Sequence, residues 1–202
     1  MKPKSEKTIT TEMPFTHLSL EADRDYLLAR FISFLGGAFA SRAGYFAQAA
    51  CEKYMKAFTI QEAKHYLGKH VLLDIADTCL PFDPYFGEPE TRRVLQQFDK
   101  FEQVGRYGAA VKFDPLSART PEMQTAGVWT WHQSYLSDLD AFVFKVRNLL
   151  RFDGQVGMDM LSAILANDNK NYFVATWTGP PLLNVLTVNN RYFVPVTRSQ
   201  TE

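Results

Sequence analysis

Phe39-Ala40-Ser41-Arg42-Ala43-Gly44-Tyr45-Phe46-Ala47-Gln48-Ala49-Ala50-Cys51-Glu52-Lys53-Tyr54-Met55-Lys56-Ala57-Phe58-Thr59-Ile60 is the stretch from which the fold class follows. Phe39, Ala43, Phe46, Ala50, Tyr54 and Ala57 recur at steps of three and four, the spacing that places side chains on one face of an α-helix. Arg42, Glu52, Lys53 and Lys56 lie towards the other face. The alanines let a neighbouring helix approach closely. Working outward, Val128, His132, Tyr135, Leu139, Phe142, Val146 and Leu149 form a longer stripe of the same kind, which predicts the central helix of a bundle.

Three further helices complete the pattern. Ser19 is placed to cap a first helix whose apolar stripe is Leu28, Phe31, Ile32 and Leu35, with Gly36-Gly37 as its stop. Residues 90–104 carry Val94, Leu95, Phe98 and Phe101 on one side, ended by Gly105 and Gly108. A shorter helix is expected over residues 156–166, before the turn-forming Asn167-Asp168-Asn169. Between the second and third long helices, a helical turn near residues 70–77 runs into Pro81-Phe82-Asp83-Pro84, which prevents helix continuation. Beyond residue 171 the character changes. Residues 172–176 and 185–196 are rich in β-branched and aromatic side chains, and Asn189-Asn190 can turn a small hairpin. The expected architecture is mainly α: an up-and-down bundle of about five helices with a short C-terminal β-hairpin or extended tail. Residues 1–14 read as a disordered tail, 15–153 as the bundle, and 154–202 as a C-terminal helix with an extended appendage of the same domain.

Composition narrows the function classes. A chain of 202 residues that is 46% hydrophobic can bury one sizeable core. Its 22 basic and 22 acidic residues cancel, so the field of a dedicated nucleic-acid or anionic-membrane binder is missing. No stretch reaches the roughly 18 apolar residues of a membrane span. The polar start of the chain has no apolar run behind it, as a secretory signal would, so a cytoplasmic location is expected. Cys51 and Cys79, the only cysteines, suggest neither a disulfide framework nor a zinc site.

The run from Ala43 to Ala57, with Glu52-Lys53 and Lys56-Ala57 following aromatic and small residues, resembles the second helix of HEPN domains. His70-Val71-Leu72-Leu73-Asp74-Ile75 is similar to the segment opening that family's next helix, Arg106-Tyr107-Gly108 to its Arg-Tyr-Pro, and Phe144-Lys145-Val146-Arg147-Asn148-Leu149-Leu150 to the end of its final helix. The match covers residues 18–150. It implies a helical bundle that commonly dimerises, and for some members a nucleotidyltransferase partner. Ribonuclease members carry an arginine followed, after about four to six residues, by a histidine on the last core helix. No arginine stands at that distance ahead of His17, His65, His70 or His132, so the resemblance argues against RNA cleavage of the family's kind.

Candidate chemistry is sparse. His132 is the most tempting general base, yet its place in an apolar stripe favours a core histidine. His65 and His70 are five residues apart, about 140° around an ideal helix, unlike a zinc-chelating pair. His70 can cap the next helix or face a dimer groove. Lys53 and Lys56 can present two cations to a phosphate, with Arg106 and Arg147 as additions, although Lys56 also lies four residues after Glu52, the favoured order for an intrahelical ion pair. Trp129, Trp131 and Trp177 supply aromatic surface whose first use is core packing. The expected function is a non-enzymatic dimerising module, with neither metal nor cofactor, that binds a partner protein or a nucleotide-like ligand through Lys53, Lys56, His70, Arg106, Tyr107 and Arg147. The alternatives are a divergent metal-independent ribonuclease or nucleotide-processing enzyme, using His70 or His132, and an accessory subunit of a nucleotidyltransferase.

Overall fold

A computed structural model describes residues 15–35, 39–65, 67–107, 133–152, 160–166 and 182–194. Among these the chain forms a mainly helical bundle without strands: α1 (Phe15–Ser33), α2 (Ala40–Ala63), α3 (Leu72–Cys79), a 3-10 turn (Pro84–Gly87), α4 (Pro89–Tyr107), α5 (Gln133–Leu149), α6 (Met160–Leu165) and α7 (Leu182–Thr187). The N-terminal tail, the residue 172–176 segment, Gly36-Gly37, His132 and the three tryptophans lie outside the described residues.

The axis of the bundle is α2, which packs against α1, α3, α4 and α5. The sequence assigns that position to the stripe from Val128 to Leu149. In the structure Leu139, Phe142 and Val146 are buried as read, but α5 packs as a flank. The reason is side-chain size. Ala43, Ala47, Ala50 and Ala57 are fully buried along α2, so neighbours can close on it from several directions, and Gly44 lies directly against the Phe101 ring of α4.

Helix α1 departs furthest from its sequence reading. Ser19 does not cap it. The helix begins at Phe15, and the Ser19 hydroxyl is buried, donating back to the carbonyls of Phe15 and Thr16. Of Leu28, Phe31, Ile32 and Leu35 none is fully buried and Leu35 is exposed; the buried side of α1 combines Leu20, Ala22, Leu27 and Ala29 with Thr16, Ser19, Asp23, Tyr26 and Arg30, five side chains with polar groups at helical steps. Buried polar groups are tolerated when hydrogen-bonded. Asp23 takes Tyr54 and Arg147 as partners, while Tyr26 and Arg30 converge on Asp140.

Two boundaries shift for local reasons. Helix α4 starts at Pro89, a residue suited to the first helical position because it has no N–H to leave unpaired. It then runs through Gly105 to Tyr107, since a single glycine costs a helix only about 1 kcal/mol relative to alanine. The Pro81–Pro84 break holds: Asp83 accepts a hydrogen bond from the Tyr85 N–H and caps the 3-10 turn.

The expected strand beginning at Val185 is instead helical. Leu182, Val185 and Leu186 point inward at steps of three and one, and the Thr187 hydroxyl bonds the Leu183 carbonyl. β-Branched composition yields here to packing, because α7 docks on α1 and α6. Asn189-Asn190 does turn the chain. Asn189 takes a left-handed φ of 54°, ending the helix rather than joining two strands.

Candidate functional site

Helix α2 reaches solvent along one edge, beside α1 and the segment leading into α3. There an open cleft of about 160 Å³ is lined by Asp25 of α1, by Gln48, Glu52 and Lys53 of α2, and by His70. Tyr45 and Phe46, two α2 turns earlier, add aromatic lining, their rings edge-on at 5.4 Å between centroids.

Glu52 organises the cleft. One of its oxygens, Oε1, accepts a hydrogen bond from Lys56 Nζ at 2.7 Å and lies 3.0 Å from His70 Nδ1. The other, Oε2, accepts from Gln48 Nε2 at 3.2 Å, and that same amide nitrogen also donates to the His70 backbone carbonyl. The histidine is thereby tethered while 58% of its side chain stays exposed. It does not cap α3: that duty falls to Asp99 of α4, whose Oδ1 accepts the Leu72 N–H at 2.8 Å.

Asp25 is the more unusual group. Its Oδ2 is ion-paired with Lys53 Nζ, and its Oδ1 accepts no hydrogen bond among the described residues although the residue is only 9% exposed. Burial pushes its carboxyl above the ordinary value, against the pull of Lys53 and with the push of the neighbouring Glu21 and Glu52 carboxylates.

The predicted binding residues are therefore only partly assembled. Lys53, Lys56 and His70 meet through Glu52 and Asp25. The two lysines do not form a phosphate cradle. Lys56 is just 2% exposed, held in the intrahelical pair with Glu52 that its spacing suggests, and Lys53 is held by Asp25. Arg147 lies elsewhere, paired with Asp23 and with its guanidinium 5.1 Å from the Phe152 ring centroid. Arg106 and Tyr107 belong to the last turn of α4, and their side chains lie outside the described residues. Sequence reading missed Asp25, Tyr45, Phe46 and Gln48 as members of the site. Asp25 meets α2 across a helix pair, a contact with no sequence signature; Phe46, seven residues before Lys53, lies near the same side of α2 and is open to detection by helical spacing, whereas Gln48 is buried and is not.

Among the described residues no group of three or more histidine, cysteine or carboxylate side chains is arranged to hold a metal ion, and no helix is long and apolar enough to cross a membrane. No protein-family model, curated protein or solved structure matches the chain.

Proposed function

We propose that this chain is a non-enzymatic, HEPN-like dimerising module that binds a partner protein at the cleft between α1 and α2. The observation that carries the reading is the convergence of Asp25, Glu52, Lys53 and His70 on one open, aromatic-walled cleft. The resemblance of the Ala43–Ala57 run to the second HEPN helix supports it, since the cleft is built on that run. Size and charge favour a protein side chain over a nucleotide. Pockets for drug-sized ligands span roughly 300–1,000 Å³, and both lysines near this cleft are already engaged by carboxylates.

Light scattering on the full chain tests the dimer: a mass near twice that of one chain is expected, and a monomer at high concentration refutes that part. Chemical-shift mapping with a candidate partner tests the cleft, where Tyr45→Ala, which truncates a lining ring, should abolish binding, with urea unfolding of the variant separating loss of the site from loss of the fold.

One observation favours a second reading, a nucleotide-processing enzyme. Tethering of His70 Nδ1 to Glu52 leaves Nε2 available for proton transfer. Turnover of RNA or nucleotides that disappears in His70→Ala at unchanged stability would replace the binding module with this enzyme.

A further inference from the structure

The end of α7 is closed by two side chains, one of them from another helix. A helix leaves its last carbonyls without intrahelical partners. Here the Val185 carbonyl accepts from Arg30 Nε at 2.7 Å and the Val188 carbonyl from Arg30 Nη2 at 2.5 Å. Asn190 takes the two carbonyls between them, its Nδ2 donating to Leu186 and its backbone N–H to Thr187. The same Nδ2 donates to the Tyr26 hydroxyl, and Asn190 Oδ1 accepts the N–H groups of Tyr192 and Phe193. Arg30 and Asn190 thus clasp residues 182–194 onto α1.

What the clasp holds is small. Helix α7 has six residues, and an isolated helix shorter than roughly 12–15 residues is marginal in water, so its order depends on docking. Leu182, Val185, Leu186 and Phe193 are buried, while Val188 and Val194 face solvent. What the docked segment covers is charged: Arg30 and Asp140 are 0% and 1% exposed. Closure therefore carries the cost of keeping an ion pair out of water. Opening returns that cost and orphans no group. The Arg30–Asp140 pair and the Tyr26–Asp140 hydrogen bond join α1 to α5 without the segment, and the Arg30 donors that it releases turn to water. We infer that residues 182–194 are a strap that opens and closes over Arg30, Tyr26 and Asp140 as one unit, while α1, α2 and α5 beneath it stay folded.

Arg30 itself supplies the test, because its backbone N–H belongs to α1 whereas its Nε–H is held by the strap. Hydrogen exchange is followed on the full chain, isotopically labelled, and each rate is referred to that of the unprotected group. The Arg30 Nε–H and the amides of Val188 and Asn190 are expected to share one protection, at least about tenfold below that of the Arg30, Tyr54 and Leu139 amides. Asn190→Ala should lower the first set by a further tenfold or about that and leave the second unchanged. Leu186→Ala, which removes packing instead of a hydrogen bond, should act on the same set. Equal acceleration of both sets would mean that α7 leaves only when the bundle unfolds. Acceleration at Val188 and position 190 that spares the Arg30 Nε–H would mean fraying of the chain end. Either result, or an Asn190→Ala chain that exchanges like the parent, overturns the strap.

Discussion

Arg30 of α1 and Asp140 of α5 form an ion pair sealed from water, and seven residues along each helix Asp23 and Arg147 repeat it with the charges exchanged. Each helix thus carries an aspartate followed one heptad later by an arginine. The two can satisfy one another only when the helices run antiparallel. Hydrogen bonds complete the desolvated set. Tyr26 donates to Asp140 at 2.7 Å, Asn190 donates to the Tyr26 hydroxyl at 2.9 Å, and Arg30 Nε donates to the Val185 carbonyl of α7 at 2.7 Å.

Breaking one member leaves its partner charged and buried, which costs about 3–5 kcal/mol. Arg30→Met is therefore expected to lower the unfolding free energy by that amount. Arg30→Met with Asp140→Leu should recover most of it, since an apolar pair of similar volume is often neutral. Urea unfolding of the two singles and the double checks this. A double mutant no more stable than Arg30→Met would show that the loss comes from packing and from the Val185 and Val188 carbonyls that Arg30 holds.

The same network explains why the inward face of α1 is hidden from a periodicity argument while those of α2 and α5 are legible. Periodicity arguments assume that the core-facing stripe is apolar. In α2 and α5 enough of it is apolar to show the period, although Lys56, Asp140 and Arg147 are buried as well: Tyr54, Ala57, Leu139, Phe142 and Val146 are buried where the spacing places them. In α1 the buried apolar residues are interleaved with Asp23, Tyr26 and Arg30, and each of these three is hydrogen-bonded by a residue more than 30 positions away. The candidate site divides along the same line. The Lys56–Glu52 pair is local and readable, whereas the Lys53–Asp25 pair is a tertiary contact.

Asp25 makes a prediction about pH. Its carboxyl is raised in the folded chain, so the native state holds a proton that the unfolded chain, with a carboxyl near pH ~4, has released. Stability attributable to this group therefore falls as pH rises through the window between the two values, and the penalty is complete above it. Asp25→Asn is expected to raise the melting temperature at neutral pH, with the gain fading as pH falls towards about 4. A melting temperature lowered by Asp25→Asn at neutral pH would show that the Lys53 ion pair outweighs the cost of burial.

The thiols should be silent in the native protein. Cys51 and Cys79 are both buried and unpaired, and burial raises Cys51 well above the ordinary thiol value and Cys79 to about 12. Thiolate is the reactive form, so a maleimide at mildly alkaline pH is expected to label neither residue until the chain is unfolded in denaturant. Rapid labelling of the folded chain, followed by peptide mapping to Cys79, would mean that the α3 end opens locally.

Lys64 ends α2 in a left-handed conformation, φ 54°, with its N–H donating to the Ile60 carbonyl. Glycine adopts that conformation without a side-chain penalty of about 1–2 kcal/mol. The side chain of Lys64 is exposed, so little is lost with it. Lys64→Gly should raise stability by about 1 kcal/mol, visible as a higher urea midpoint at unchanged slope.

Gly44 is the opposite case, a glycine whose replacement by the best helix former should do harm. In an exposed helix interior Gly→Ala gains up to about 1 kcal/mol. A methyl group on Gly44, however, would fall within the Phe101 ring of α4, itself buried at 2% exposure and with little room to withdraw. Forcing atoms into a filled core costs about 1–3 kcal/mol, so the net effect of Gly44→Ala is expected to be destabilising. Combining it with Phe101→Leu separates the causes. If the clash is responsible, Gly44→Ala should cost less beside leucine than beside phenylalanine, and the coupling in a double-mutant cycle measures the difference. Equal costs in both backgrounds would locate the penalty elsewhere along α2, and a stabilising Gly44→Ala would mean that α2 and α4 pack less closely than the Gly44–Phe101 contact requires.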